Sequence, residues 1–414
     1  MIESAPLFVY KKERVVFFSV FLVLIVLSFG YEYYKFDVLK RSSLHVSKSR
    51  VLNHYIKISK NGKKYDVFKL KSRKGVIYYT VSWKRVRAKI GDTLRVGFFT
   101  KNIDFLDYLR GFFAPSKFIE PISKSKEEKL YSFITFQHKT YEAKEIFKAL
   151  FFATPISKDI REKIQILGIS HLMAISGFHL GVLGGILFFL LSPVYRFFQD
   201  RFSPYRNRKL DLSLIVFTIL YLYIYFLDFT PSLLRAFVMG IFGFFFYSRN
   251  IKILSFENLL ISIMFIILLF PRLLFSISFW FSVCGVFYIF LFLYHFGKLN
   301  KIAIFIFLNF WVYFMMIPII HYIFPTFTLL QFFSPILSMA FVVFYPVSLF
   351  LHLINQGGLL DSLVSWLLGL DSRVYEVKTP LWFLITYLAL SLSSIRSRVL
   401  AFITFLFSFG VFII

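Results

Sequence analysis

Long apolar runs separated by short polar breaks occupy the chain from residue 169 to residue 414. An apolar run of about 18 or more residues is long enough to cross the hydrocarbon core of a bilayer as a helix. The runs predict spans near residues 170–192, 212–228, 232–247, 254–270, 274–296, 302–323, 380–394 and 399–414. Pro335 and Pro346 break a further apolar segment, 326–353. Another run, from Val15 to Gly30, predicts an uncleaved N-terminal helix, which gives roughly nine or ten crossings.

Residues 44–100 follow a different pattern, in which apolar and polar residues alternate at a period of two. This alternation is typical of half-buried β-strands. Asn61-Gly62 separates the first two alternating runs and is a strong signal for a β-hairpin. Four or five short strands within about 60 residues favour a small barrel such as an OB-fold.

These patterns predict a polytopic α-helical membrane protein with an N-terminal extramembranous β-rich domain that is OB-fold-like. Charges interspersed through the segment after the strands indicate amphipathic helices there. We predict four parts: an N-terminal transmembrane helix (1–30), a basic OB-fold-like domain (38–110), a mostly helical connecting segment (111–168) and a polytopic membrane domain (169–414).

The basic charge of the chain is concentrated in the predicted strands. The formal net charge is +26, from 48 Lys and Arg against 22 Asp and Glu. Between Val38 and Arg110, 19 Lys or Arg stand against 4 Asp, a difference of +15. Such a density suggests a polyanionic partner, either nucleic acid or anionic lipid.

Basic residues in the loops between spans predict the membrane orientation, because cytoplasmic loops carry an excess of Lys and Arg. With the strand-rich domain outside, the next loop is inside, and it holds five basic residues: Arg196, Arg201, Arg206, Arg208 and Lys209. Later inside loops hold Arg249 with Lys252, and Lys298 with Lys301. Arg396 and Arg398 break this count unless 326–353 is re-entrant and 359–370 lies along the outer interface.

Aromatic and basic residues interleave along the predicted strands. A charged groove with stacked aromatic rings is how proteins hold single-stranded nucleic acid. The candidate DNA-binding residues are Tyr55, Lys57, Lys69, Lys71, Arg73, Tyr78, Tyr79, Trp83, Lys84, Arg85 and Arg87. The alternative is that about half of these aromatic rings form the barrel core and the lysines are only a solvated face.

Polar residues within the apolar part of the chain are costly and usually face a bundle interior or a wet cavity. His171, Ser176, Gly177 and His179 open the first span after the strands, and Arg235 lies about one turn inside a later one. We predict that these five residues line or gate a pore. The alternatives are helix packing for the glycine and histidines, a nucleophile–base pair of Ser176 and His179 in a membrane hydrolase, and an Arg235 that extends to the interface.

The motifs of several enzyme classes are missing from the sequence. It contains no G-x-x-x-x-G-K-[ST] loop, and its eight His residues are scattered without an H-E-x-x-H cluster. We therefore expect no catalytic residues, no metal site and no cofactor, and an energy source outside this chain.

The segment from Gly168 to His179, G-I-S-H-L-M-A-I-S-G-F-H, resembles the signature of the ComEC family of competence proteins, whose usual wording is close to G-x-S-H-L-L-A-I-S-G-L-H. Segments 231–239, 271–282 and 324–346 resemble later family segments with less fidelity; Trp280 stands where glutamine is usual. The run from Ala149 to Pro155 departs from an A-L-L-x-G-[DE] pattern expected there.

The resemblance implies a channel that transports single-stranded DNA across the bacterial inner membrane during natural transformation. It implies a periplasmic DNA receptor, a cytoplasmic helicase or strand-binding protein and membrane lipids as partners, with a homodimer also open. Many relatives carry a C-terminal metallo-β-lactamase-like domain, and nothing similar follows the last span here. We therefore expect a separate nuclease. The alternative functions are a solute or lipid transporter with an anion-binding outer domain and, less favoured, the membrane hydrolase.

Overall fold

The computed structural model describes residues 10–124, 128–249 and 255–413. Its helices are α1 (Lys11–Lys40), α2 (Phe105–Arg110), α3 (Glu128–Phe136), α4 (Tyr141–Phe152), α5 (Lys158–Ile166), α6 (Ser170–Met173), α7 (Gly177–Phe202), α8 (Arg208–Phe226), α9 (Pro231–Ser248), α10 (Phe256–Leu269), α11 (Ile277–Phe296), α12 (Lys301–Ile323), α13 (Ser334–Leu353), α14 (Asp361–Leu368), α15 (Leu381–Ser393) and α16 (Arg398–Ser408). Its strands are β1 (Leu44–Ile58), β2 (Lys64–Ser72), β3 (Ile77–Ser82), β4 (Thr93–Phe99), β5 (Phe112–Phe113), β6 (Ser116–Ser123), β7 (Thr326–Phe327) and β8 (Tyr375–Glu376). Lys252 and the first residue of the span predicted from 254 lie outside the described residues, as do residues 1–9 and 414.

The chain divides into two compact units. The strand-containing unit comprises Tyr10–Phe136 together with Met264–Ser276, and the helical unit comprises Gln137–Ile263 together with Ile277–Ile414. The strand-containing unit is therefore discontinuous in sequence, because the end of α10 and the 3₁₀ turn Pro271–Phe275 belong to it.

Six strands of the first unit form one sheet in the order β5-β3-β2-β1-β4-β6. The predicted hairpin at Asn61-Gly62 is confirmed, since β1 and β2 pair in antiparallel fashion on either side of it and Gly62 has a positive φ of 72°. Residues 112–116 bond to β3 at one edge of the sheet and lead directly into β6 at the other edge. This connection closes the sheet into a barrel.

The barrel is filled by the side chains that alternation places on its inner face. Fully buried members of this core are Phe68, Leu70, Tyr78, Leu94, Val96 and Phe98. Gly97 in β4 has the ring of Phe118 against it, at 2.5 Å from where a Cβ would stand, so β6 packs close across β4 only because this residue is glycine. The sheet extends to Ser123, beyond the 38–110 segment in which the strands were expected.

Short polar side chains begin several helices of the second unit. Thr140 Oγ1 accepts a hydrogen bond from Ala143 N at the start of α4, and Asn300 Oδ1 accepts one from Ala303 N at the start of α12. Asn207 caps α8 in the same way, accepting from Lys209 N and Leu210 N. These caps satisfy backbone donors that a helix leaves without internal partners.

Six helical segments are long and apolar enough to cross a membrane: Lys11–Lys40, Gly177–Phe202, Arg208–Phe226, Ile277–Phe296, Lys301–Ile323 and Leu329–Leu353. At most 28% of the residues in their apolar windows are buried inside the protein, which leaves apolar side chains at the helix surfaces, as lipid contact requires. The chain is a polytopic helical membrane protein with a β-rich domain. Nine or ten crossings require the shorter apolar helices as well, and that number stays a prediction.

The expectation that Pro346 breaks the segment 326–353 is wrong. α13 runs without interruption from Ser334 to Leu353, with Pro335 in its first turn and Pro346 inside it. A proline in the first turn removes only a donor that has no helical partner, and an internal proline is tolerated in apolar helices that pack against neighbours. The break lies earlier, where β7 pairs with β8 and a 3₁₀ turn, Leu329–Phe333, precedes the helix.

Candidate functional site

The segment from Gln165 to His171 is bound along the start of α13. Gln331 Nε2 donates to the Gln165 carbonyl at 3.0 Å, and Ser334 Oγ donates to the Gly168 carbonyl at 2.9 Å. Gly168 has a φ of 68°, and a Cβ there would lie 3.1–3.3 Å from three atoms of Gln331. Glycine is therefore required at 168 both by its left-handed backbone and by the closeness of Gln331.

His171 continues this contact one turn along α13. Its Nε2 lies 3.0 Å from Ser338 Oγ, and Ser338 Oγ lies 2.8 Å from the Ser334 carbonyl. Because a carbonyl only accepts, the hydroxyl hydrogen of Ser338 points to Ser334, and His171 Nε2–H is the donor to Ser338. The rest of the His171 side chain is exposed.

Ser176 and His179 form the start of α7. His179 Nδ1 lies 3.1 Å from Ser176 N, which donates to it, and 3.0 Å from Ser176 Oγ. This is the reciprocal bond of a capping box, which gives the three-residue spacing a structural role. His179 Nε2 is buried against the rings of Phe341 and Tyr345 and has no hydrogen-bond partner among the described residues. A hydrolase would need a group here to orient the imidazole, so this geometry gives the hydrolase alternative no support.

The start of α9 packs against the same turn. Ser232 Oγ donates to the Ile175 carbonyl at 2.6 Å, and a Cβ on Gly177 would lie 3.1 Å from Ala236 Cβ. The segment 168–179 therefore lies between the start of α9 on one side and α13 on the other.

Arg235 is one residue before this contact and is only 4% exposed. Its guanidinium donates to the carbonyls of Phe279 and Ser232 at 3.4 and 3.5 Å, which are long hydrogen bonds. Among the described residues no carboxylate lies within ion-pair distance of it. A buried guanidinium without a counter-ion is costly, and it is a group suited to an anionic ligand.

In the strand-containing unit, the strand register decides which predicted DNA-binding residues share a surface. Lys57 stands opposite Tyr65, Tyr55 opposite Val67, and Lys69 opposite Tyr79. These residues and Lys71 project from the outer face of the barrel, because side chains alternate between faces. The Nζ atoms of Lys57 and Lys69 lie 5.7 and 5.5 Å from the ring centres of Tyr55 and Tyr79. We call the set Tyr55, Lys57, Tyr65, Lys69, Lys71, Tyr79 and Trp83 the outer aromatic–basic face.

Trp83 extends this face beyond the end of β3. Its ring is 63% exposed, and its centre lies 5.0 Å from that of Tyr65. Arg73, Lys84, Arg85 and Arg87 are exposed in the turns on either side of β3.

Tyr78 does not belong to this face and must be removed from the candidate set. It is fully buried in the barrel, its hydroxyl is hydrogen-bonded to Ser49 Oγ at 2.7 Å, and burial raises the pKa of the phenol. The period-two pattern itself separates Tyr78 from Tyr79, since neighbouring residues of a strand point to opposite faces.

A sequence model of one protein family, described as "Competence protein", matches residues 153–414. This chain belongs to the competence protein family. The match covers well over half of the chain and includes the segments 168–179, 231–239 and 324–346 that meet in the helical unit. No curated protein and no solved structure matches the chain.

Membership of the competence protein family assigns the chain a role in competence, the uptake of DNA. The helical unit holds most of the matched residues, and the segments that resemble the family signature contact one another there although they are far apart in sequence. The sequence analysis identified one side of these contacts, and it missed Ser232, Ser334, Ser338 and Tyr345 on the other side. Ser334 and Ser338 are four residues apart within an apolar run, which is a signal for a polar helix face.

Proposed function

We propose that the protein conducts single-stranded DNA across the bacterial inner membrane during natural transformation. The observation that carries the proposal is the convergence of the family segments 168–179, 231–239 and 324–346 inside a polytopic membrane protein of the competence family. The outer aromatic–basic face supports a single-stranded substrate in particular, because exposed rings beside lysines suit unpaired bases on a phosphate backbone.

Capture of DNA takes place on the barrel, which we assign to the OB-fold type. Lys57, Lys69 and Lys71 neutralise phosphates, while Tyr55, Tyr79 and Trp83 offer ring faces to the bases. Lipid headgroups present no planar bases that could stack on the rings beside these lysines. This surface therefore favours the DNA channel over the solute or lipid transporter.

Passage of the strand requires a wet and polar path, since each phosphate charge costs several kcal/mol in hydrocarbon. His171 and Gly177 are exposed residues of the signature segment, and Arg235 lies beside it with long bonds to carbonyl oxygens only. In this proposal, Arg235 exchanges those carbonyls for a phosphate oxygen as the strand passes. Ser176 and His179 hold the turn that presents these groups.

The remaining steps need other proteins. A periplasmic receptor delivers DNA, a separate nuclease removes the second strand, and a cytoplasmic helicase or strand-binding protein supplies the pull, because the sequence has no phosphate-binding loop of its own. A homodimer is a further arrangement that pore formation allows.

The test measures binding by the full-length protein in lipid nanodiscs. Fluorescent single-stranded DNA, duplex DNA and vesicles of anionic lipid are titrated at several salt concentrations. We expect a preference for single strands and a loss of affinity of about 5- to 150-fold in Trp83→Ala, because one stacked base is worth about 1–3 kcal/mol. Trp366→Ala is the matched control, since Trp366 has the same 63% exposure but lies in α14 of the helical unit.

Two results would overturn the proposal. If Trp83→Ala and Trp366→Ala bind single strands equally well, the outer aromatic–basic face is not the capture surface. If the protein binds anionic vesicles but neither form of DNA, and cells lacking it take up DNA normally, the transporter alternative replaces the channel.

A further inference from the structure

A buried cluster in the helical unit joins three segments that are distant in sequence. His138 precedes α4, His352 lies in the last turn of α13, and Asp361 is the first residue of α14. All three are buried, with exposed fractions of 4%, 3% and 8%. None of them belongs to the segments that resemble the family signature, and the proposed DNA path does not use them.

The hydrogen bonds of the cluster run in a line. His138 Nδ1 lies 2.6 Å from Asp361 Oδ1, and His138 Nε2 lies 2.9 Å from His352 Nε2. His352 Nδ1 lies 2.6 Å from the carbonyl of Ser348, and Asp361 Oδ2 accepts the backbone N–H of Lys139 at 2.7 Å. The two imidazoles are therefore joined through their Nε2 atoms, and each has its Nδ1 fixed by an oxygen.

These hydrogen bonds require one more proton than neutral histidines and an ionised aspartate supply. The Ser348 carbonyl only accepts, so His352 carries its hydrogen on Nδ1 and presents a lone pair at Nε2. His138 must then donate from Nε2, and one more hydrogen must lie between its Nδ1 and Asp361. Three hydrogens are needed, whereas two neutral imidazoles and an ionised carboxylate hold two. The cluster binds one additional proton.

Asp361 is placed so that its ionised form is favoured, which leaves the additional proton on His138. The carboxylate accepts the Lys139 N–H and stands at the N-terminus of α14, where negative charge is stabilised. The His138 ring is stacked on Phe147, with ring centres 4.6 Å apart and planes 2° apart, which suits a cationic imidazole.

The distances favour a proton over a metal ion. Two imidazole nitrogens on a tetrahedral Zn²⁺ lie about 3.3–3.4 Å apart, given Zn–N bonds of about 2.0–2.1 Å. The 2.9 Å between the Nε2 atoms of His138 and His352 is instead the distance of an N–H hydrogen bond. Within the described ranges, no group of three or more His, Cys, Asp or Glu side chains converges to hold a metal ion.

The groups around the cluster are mostly aromatic or neutral. α4 contributes the rings of Phe147 and Phe151, 4.7 and 4.9 Å from the His352 ring, and Tyr345 of α13 lies beyond Phe151. A side chain at Gly357 would collide with His352 Nε2 at 2.7 Å, so the turn before α14 closes that end. The Lys139 side chain is exposed.

The nearest charged residues are on α4 and on α5, which packs against α14. Lys163 pairs with Glu142, and Lys158 pairs with Glu162. Glu145 accepts hydrogen bonds from the Tyr141 hydroxyl and from Ser157 N, and Arg161 donates to the Ile156 carbonyl. Lys144 and Lys148 are half-buried on α4, and Asp159 is exposed on α5.

We propose that His138, His352 and Asp361 form a proton-binding site, in which a single proton holds the segment before α4 to α13 and α14. Without that proton, two nitrogen lone pairs face each other at 2.9 Å and the joint between the three segments weakens. The site binds its proton independently of DNA, so its failure and the failure of the proposed function are separate results.

The first test is the pH dependence of stability between pH 7.5 and 9, measured by reversible unfolding of the full chain in micelles. The folded protein holds one proton more than the unfolded chain, whose histidines are neutral there, so stability falls as pH rises. We expect the unfolding equilibrium constant to rise about tenfold per pH unit from this site. In His352→Gln the amide can donate to His138 Nε2 without an extra proton, and we expect that contribution to disappear.

His45→Gln is the control variant, because burial, assisted by Lys74, lowers the pKa of His45 and keeps it neutral in this range. Equal pH slopes for wild type and His352→Gln would overturn the site.

The second test needs no variant. Nitrogen-15 NMR of histidine-labelled protein in nanodiscs at pH 8 is expected to show one imidazole protonated at both nitrogens, and elemental analysis to show no stoichiometric transition metal. A spectrum of neutral histidines only would overturn the placement of the proton on His138, and one equivalent of bound metal would overturn the proton site.

Discussion

Each of the two units contains one arginine of special interest, half-buried in the strand-containing unit and buried in the helical unit, and the two arginines differ in their partners. In the strand-containing unit, Arg272 donates to Glu32 Oε2 from Nε and Nη2 at 3.1 and 2.8 Å, to the Gly75 carbonyl at 2.6 Å and to the Tyr108 hydroxyl at 2.7 Å. In the helical unit, Arg235 has two long bonds to carbonyls and, among the described residues, no carboxylate.

The difference separates a guanidinium with a carboxylate partner from one that has no carboxylate partner among the described residues. The charge of Arg272 is balanced by Glu32, and its plane lies over the ring of Tyr108, whose pKa burial raises to about 12. Burial of the Arg235 charge costs free energy, and no carboxylate among the described residues offsets that cost. In the proposed function, the phosphate groups of the passing strand supply the negative charge that Arg235 lacks.

The largest expected effect is on the stability of the strand-containing unit in Arg272→Met. Removing Arg272 leaves the buried Glu32 carboxylate with Lys35 and the Tyr108 hydroxyl as its remaining partners, which costs about 3–5 kcal/mol of unfolding free energy. Arg41→Met, directly after the end of α1, is the control, because Arg41 and Asp37 form an exposed pair, and we expect no measurable change. Thermal unfolding in detergent provides the measurement. Equal losses in the two variants would remove the contrast between buried and exposed pairs.

Arg235→Met is expected to have the opposite profile. The unfolding free energy stays the same or rises, because no carboxylate loses its partner and a costly buried charge is removed. DNA uptake falls about 10- to 100-fold, the value of one charge-assisted hydrogen bond to phosphate. Transformation frequency and thermal unfolding of the same variant give both numbers. A stability loss as large as that of Arg272→Met would show that Arg235 is a structural residue too.

Gly168→Ala is expected to act on the joint between the signature segment and α13. Alanine in a left-handed conformation and in contact with Gln331 lowers the unfolding free energy by about 1–3 kcal/mol. Gly185→Ala is the matched control within α7, since nothing lies within 4 Å of a Cβ there. Paired unfolding curves decide the question, and a neutral Gly168→Ala would mean that the joint adjusts easily.

The smallest effect concerns a single half-buried lysine on the outer aromatic–basic face. Lys69→Gln is expected to reduce the slope of log affinity against log salt by about 0.7 for single-stranded DNA, the value of one phosphate contact. Lys301→Gln, an exposed lysine at the start of α12 in the helical unit, serves as the charge-matched control. If both substitutions change the slope equally, the lysine acts through net charge alone.

The sequence predicts the barrel better than it predicts the contact between the signature segment 168–179 and α13 inside the helical unit. Alternation at a period of two already divides Tyr78 from Tyr79, and Asn61-Gly62 sets the first hairpin, so fold class and face follow from local pattern. The prediction of Tyr78 as a DNA-binding residue is nonetheless wrong, because strand position rather than aromatic character decides which face a side chain occupies.

The contact between the signature segment and α13 could not be predicted in this way, because its hydrogen bonds connect residues that are far apart in sequence. Gly168 and Gln331, or His171 and Ser338, are brought together by helix packing, for which neither residue carries a local signal. The lack of a carboxylate partner for Arg235 among the described residues likewise depends on which side chains surround it in the folded protein, and no local sequence pattern reveals it. The three-residue spacing of Ser176 and His179 allows a nucleophile–base pair as one interpretation of the sequence. The structure instead places both residues at the start of α7.

The discontinuous sequence of the strand-containing unit has a consequence for biosynthesis. Glu32 and Arg272 are 240 residues apart, so at about 5–20 residues per second a ribosome needs roughly 12–50 s to deliver the arginine after the glutamate has emerged. During that interval Lys35, 3.0 Å from Glu32 Oε1 on the same helix, is the local partner for the carboxylate. The strand-containing unit thus waits for a later part of the chain, and a nascent protein stalled before residue 272 would have all six barrel strands but not the Arg272 contacts.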